Sequence, residues 1–143
     1  MGKTEDILDI QTSFSTYAAA MDTKQWSLLE SIFAPDISMD FAQYGGLLEG
    51  YDPVTAQLIG TIEPLDVTQH LVGNVRCTFV DADTVDAVAY FHAMHVKNGT
   101  AGGDQLMIGG MYHDRVQRTA GGWRQTHRRI ESTWSFGNAA VLA

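Results

Sequence analysis

The stretch Tyr17–Trp26, YAAAMDTKQW, places an acid where an apolar helix runs out. Asp22 has two readings. With Gln25 it forms the D-x-x-Q pattern of a capping box, its carboxylate satisfying free N–H groups of a following helix. Set against an imidazole, the same carboxylate fixes the ring tautomer and raises its basicity, as a general base working near neutral pH requires. His70, in TQHLVGN, is the first imidazole to weigh. Counting by twos puts His70 with Val72, Asn74, Arg76 and Thr78, a polar set, opposite Leu71, Gly73, Val75, Cys77 and Phe79. Simple alternation therefore turns His70 away from the core. A bulge at Gly73-Asn74 would reverse the parity and bring His70 and Val72 to the side of Val75, Cys77 and Phe79. His92 and His95, in YFHAMH, face opposite sides of a strand, and His95 shares the apolar face of Ala89, Phe91 and Ala93. Side chains so spaced on a strand diverge, so no metal site is expected from them.

The elements that must position these residues follow from periodicity. Ile7, Ile10, Phe14, Tyr17, Ala18 and Met21 recur at three- and four-residue steps and mark an amphipathic helix. A second helix is expected from Asp22 or Thr23 through Trp26, Leu29, Ile32 and Phe33, ended by Pro35. A strand over Ile37–Phe41, a Gly45-Gly46 turn and a hairpin partner at Leu47–Gly50 come next. Asp52 as N-cap and Pro53 at the first helical position open a third helix that runs to about Ile62. The period then changes to two, over Val67–Val80, Val85–Lys97, Gln105–Arg118 and Trp123–Trp134. Helices first and a long antiparallel meander afterwards give an α+β fold. Strands this long twist and curl. Three helices on the curved face make a cone with a ligand cavity at its wide end.

The whole chain sets bounds on function. Its 143 residues suit one domain over residues 1–143, with 45% hydrophobic and 18% charged residues. A net charge of −8 argues against nucleic acid as a partner. Arg115, Arg118, Arg124, Arg128 and Arg129, the only basic concentration, read as the solvated face of two strands. The single cysteine, Cys77, forms no internal disulfide. No apolar run approaches the roughly 20 residues of a membrane span. The start, MGKTEDILDIQ, lacks the apolar core of a signal peptide, so a cytoplasmic location is expected. There is no Gly-rich phosphate loop and no metal cluster, so no cofactor is implied.

Four pieces lie in order along nearly the whole chain: Met21-Asp22, His70-x-x-x-Asn74, Gly109-Gly110-x-Tyr112 and the closing GWRQTHRRIESTW. On these the chain resembles the SnoaL-like branch of the nuclear transport factor two-like superfamily, and within it hexachlorocyclohexane dehydrochlorinase and scytalone dehydratase. The resemblance implies a cone-shaped α+β barrel, three helices packed on a strongly curved, mostly antiparallel sheet. It carries an Asp–His dyad onto Asp22 and His70, an Arg of the closing strand onto Arg128, and a second pocket imidazole onto His95. Tyr17, Met39, Phe41, Tyr44, Leu106, Ile108, Tyr112 and Trp134 are then candidate wall residues around a hydrophobic, cyclic substrate. The implied activity is a small-molecule lyase of dehydratase or dehydrohalogenase type. His70 would remove the proton, and Arg128, or His95 as an acid, would stabilise the departing group. An isomerase or cyclase of polyketide or steroid-like compounds and a non-catalytic binding domain of the same fold are the alternatives. The uncovered outer face of the sheet, through which similar folds associate, points to a homo-oligomer, a trimer or dimer.

Overall fold

The computed structural model describes residues 2–143. Helix α1, Lys3–Thr23, buries Ile10, Phe14, Tyr17, Ala20 and Met21 along one stripe. A 3-10 segment, Trp26–Ser31, leads into strand β1, Phe33–Asp40. A short 3-10 turn at Ala42–Tyr44 precedes β2, Leu47–Glu49, and then α2, Tyr51–Ile62. Four long strands complete the sheet: β3, Val67–Phe79; β4, Thr84–Val96; β5, Gln105–Thr119; and β6, Gly122–Gly137. A last 3-10 turn spans Ala139–Leu142. The sheet order is β2-β1-β6-β5-β4-β3, with β1 parallel to β6 and the other neighbours antiparallel. α1, the 3-10 segment Trp26–Ser31 and α2 on this curled six-stranded sheet give the cone-like α+β fold.

Two helix starts differ from the sequence expectation. Asp22 is no N-cap: it lies in the last turn of α1, which continues to Thr23 and ends at Lys24 in the left-handed region (φ 57°). The expected second helix shrinks to the 3-10 segment, whose N-cap position, Gln25, makes no side-chain bond. Phe33 and Ala34 already belong to β1 beside β6, where Gln125 N–H donates to Ile32 O at 2.7 Å. In α2 the N-cap is Gly50 (φ 94°), so Asp52 sits in the first turn. Its charge suits the helix N-terminus there without capping it.

Three bulges shape the antiparallel ladders of the sheet. In β3 the pairing steps from Gly73↔Tyr90 to Arg76↔Val88, so Asn74 and Val75 oppose Ala89 alone, and Asn74 takes φ 52°. In β6, Thr126 and Thr133 are the extra residues, beside the register shifts at Arg115/Val116 and Gly109/Gly110. Gly110 faces the second of these so closely that a Cβ there would stand 1.8 Å from Glu131 O. Each bulge bends its strand and reverses which residues face inward.

Candidate functional site

The β3 bulge decides the orientation of His70. Before it, Thr68, His70 and Val72 take the more sheltered positions; after it, Val75, Cys77 and Phe79 do. His70 therefore turns to the concave side, where α1 ends. Its Nδ1 lies 2.7 Å from Asp22 Oδ1. The same carboxylate accepts the His70 backbone N–H at 2.9 and 3.1 Å, and Thr68 Oγ1 donates to it at 3.2 Å. β3 is an edge strand, so no further strand competes for that N–H. A carboxylate receiving a backbone N–H has no proton to donate, so Nδ1 carries the proton, and in the neutral ring Nε2 holds the lone pair. The imidazole is 6% exposed and its ring lines the cavity.

The cavity wall is mostly apolar. α1 supplies Tyr17 and Met21; the turn after β1 supplies Phe41 and Tyr44; α2 supplies Leu58, Thr61 and Ile62. Phe91, Ala93 and His95 come from β4, Ile108 and Tyr112 from β5, Ile130 and Ser132 from β6, and Leu142 from the C-terminal turn. Three expected wall residues lie elsewhere. Met39 and Leu106 are buried but do not line the cavity. Trp134 is displaced by the Thr133 bulge to the outer face, across Gly109 and 5.1 Å from the His92 ring.

His95 faces His70, their ring centroids 6.0 Å apart. Burial, followed by the nearby His70, lowers its pKa to about 4. A neutral ring whose Nδ1 contacts Leu106 O at 3.2 Å must be the Nδ1–H donor, which leaves Nε2 as an acceptor. His95 is thus not an acid at neutral pH, contrary to the sequence expectation, but a second lone pair in the site.

Arg128 also departs from expectation. It points inward because the Thr126 bulge shifts parity, yet it does not line the cavity. It is fully buried, its Nε and Nη2 donating to Asp114 at 2.8 and 2.7 Å. Its guanidinium carbon stacks 4.1 Å from the Tyr112 ring centroid and 4.4 Å from that of Tyr17. Burial works against the charge, but the Asp114 carboxylate outweighs it and raises the guanidinium pKa. Arg128 packs behind the two tyrosines, off the cavity wall, and is no part of a solvated face.

Residues 2–129 match the SnoaL-like domain family. The chain belongs to this family. Its fold is like that of a nuclear transport factor 2-like superfamily protein of Salmonella enterica, which superposes with a TM-score of 0.82 at 14% identity, covering 96% of this chain and 98% of that one. An uncharacterized protein of Mycobacterium tuberculosis is 31% identical over 131 residues, covering 89% of this chain and 84% of that protein. A scytalone dehydratase-like protein of Claviceps purpurea is 27% identical over 140 residues, covering 92% and 83%. The crystal structure of a type 2 hexachlorocyclohexane dehydrochlorinase superposes with a TM-score of 0.81 at 21% identity, covering 95% of this chain and 93% of that one.

Some of this SnoaL-like cavity was missed by sequence reasoning. Phe91 and Ala93 share the inward face of His95 and could have been named from its parity alone. Leu58 and Ile62 form a four-residue stripe on α2. Ile130 and Ser132 carried no such signal, because the Thr126 bulge that turns them inward has no glycine to announce it.

Proposed function

We propose that this SnoaL-like chain is a small-molecule lyase of dehydratase or dehydrohalogenase type, acting on a hydrophobic, cyclic substrate. The observation that carries the reading is the 2.7 Å Asp22–His70 contact, which leaves Nε2 free beside an apolar cavity. His70 Nε2 removes a proton from carbon, and the electron pair forms the new double bond as the neighbouring leaving group departs with its own pair. For a hydroxyl, the imidazolium returns its proton to the leaving oxygen and water is released; a halide leaves unprotonated. Asp22 stabilises the imidazolium through Nδ1. His95 Nε2 accepts a hydrogen bond from the substrate. Two names support the class: the Claviceps relative is called scytalone dehydratase-like, and the superposed structure is a dehydrochlorinase.

A second reading, an isomerase, is favoured by the neutral state of His95 and the enclosure of Arg128. With neither His95 nor Arg128 supplying a proton, one imidazole can lift a proton and return it to another carbon. Panels of cyclic β-hydroxy ketones and chlorinated cyclohexanes separate the two, with products followed by mass spectrometry. Loss of water or halide that vanishes in His70→Ala supports the lyase. A product of unchanged mass supports the isomerase, and turnover that survives His70→Ala defeats both. We also propose that the outer sheet face is buried in a homo-oligomer.

A further inference from the structure

Asp22 can orient His70 only if the last turn of α1 is held against the start of β3. The Asp22 carboxylate is itself part of that joint, accepting from His70 N–H and Thr68 Oγ1, and a second side chain braces it from outside the pair. Lys24, the residue that ends α1, adopts φ 57°, ψ 30°. Glycine takes this left-handed conformation without steric cost, so what the position gains from lysine is its side chain. The half-buried Lys24 reaches across to the exit of α2, where Nζ donates to Glu63 O at 2.9 Å and Leu65 O at 2.8 Å. These carbonyls lie just beyond the last turn of α2, where backbone acceptors lack helical partners. Leu65 is close in sequence to Thr68 and His70. Trp26 Nε1, from the segment after α1, adds a bond to Glu63 Oε2 at 3.2 Å. One ammonium therefore ties together the end of the helix bearing Asp22, the end of the helix bearing Leu58 and Ile62, and the turn that leads into the strand bearing His70. Apart from the bonds that Asp22 itself accepts, Thr68 Oγ1 to Met21 O, at 3.4 Å, is a long tie at this joint.

We propose that Lys24 is a positioning residue for the Asp22–His70 pair, setting the carboxylate so that the imidazole is held in its Nδ1–H form. Its relevance to chemistry rests on the lyase reading; its test reads geometry and needs no substrate. The full chain, labelled with ¹⁵N-histidine, is examined by long-range proton–nitrogen correlation at pH 7.5, with His70 assigned by its loss in His70→Gln. The wild type should show Nδ1 protonated and Nε2 bare. Lys24→Met keeps the aliphatic stem and removes the donors. It should fold, by circular dichroism, and move the His70 signals toward the Nε2–H form that dominates in the free histidine side chain, while Lys24→Arg restores the wild-type pattern. If Lys24→Met does not fold, Lys24→Gln, with its amide donor, is read the same way and should show a smaller shift of the same sign. A folded Lys24→Met, or Lys24→Gln in its place, with unchanged His70 signals overturns the role of Lys24 and leaves the dyad standing. A wild-type His70 in the Nε2–H form overturns the dyad and this proposal together.

Discussion

His70 and His95 face one cavity, and different partners assign their protons. Asp22 holds the proton of His70 on Nδ1, while the Leu106 carbonyl does so for His95. Asp22→Asn presents an amide N–H to His70 Nδ1, which then becomes an acceptor and moves the proton to Nε2. The rate on any accepted substrate should fall by roughly 10³–10⁴, the scale of tautomer reversal in a catalytic triad. Steady-state kinetics of Asp22→Asn beside His70→Ala checks this. His70→Ala should abolish turnover and leave the circular dichroism spectrum unchanged. His95 makes a prediction about stability. Its pKa falls from 6.5 to about 4 on folding, so the unfolded chain binds a proton that the folded one refuses. Its contribution is intact above pH 6.5, is lost as pH drops from 6.5 toward 4, and levels off below. The loss is roughly 3 kcal/mol at one pKa unit per ~1.4 kcal/mol. Urea melts at pH 7 and 4.5 should show it, and His95→Asn should narrow the difference.

Among the elements, the bulges set the register on which the site depends. Without the extra residue in β3, His70 would share the face of Arg76 and Thr78, and the 71%-exposed Leu71 would turn inward in its place. Deleting Asn74 should therefore remove activity while leaving a folded protein of lower stability. Reaction of His70 with diethyl pyrocarbonate, mapped by mass spectrometry, should rise as its ring leaves the dyad. Gly110 tests the β6 bulge: a methyl group there meets the Glu131 carbonyl at 1.8 Å. Gly110→Ala should cost about 1–3 kcal/mol in a denaturant melt. The N-terminus of α1 is anchored separately. Asp6 accepts from Arg118 at 2.9 and 3.0 Å and from Trp123 Nε1 at 3.0 Å, which explains why an acid near the start of an exposed turn is buried.

At the scale of the molecule, the helices cover one face of the sheet and leave the other open. Leu71, Tyr90, Trp134 and Phe136 stand exposed there, with Phe136 at 80%. Apolar side chains gathered on one face mark an interaction surface more than scattered ones do. Sedimentation at micromolar concentration should show a dimer or trimer, and Leu71→Glu with Phe136→Glu should shift it to monomer without unfolding. A monomeric wild type would refute the oligomer. No helix among the described residues is long and apolar enough to cross a membrane.

The sequence by itself determined what local periodicity and short motifs encode. The stripe of Phe14, Tyr17 and Met21, the alternation of β4 and β5, and the order Met21-Asp22, His70, Gly109-Gly110 led to the α+β cone and to the SnoaL-like family. Gly73 even signalled that β3 could bulge. What it left open was every feature set by partners distant in the chain. Asp22 read both as a cap and as the partner of an imidazole, because capping depends on neighbours in sequence and the dyad does not; only packing α1 against the edge of β3 put its carboxylate on His70. Arg128 read as a pocket residue because its position along β6 was recognisable, but the Thr126 bulge and the buried carboxylate of Asp114 decided where its charge went. Periodicity specifies which face a residue takes as long as the count is unbroken. A single inserted residue reverses that count, and whether the ladder accepts the insertion is decided by the neighbouring strand.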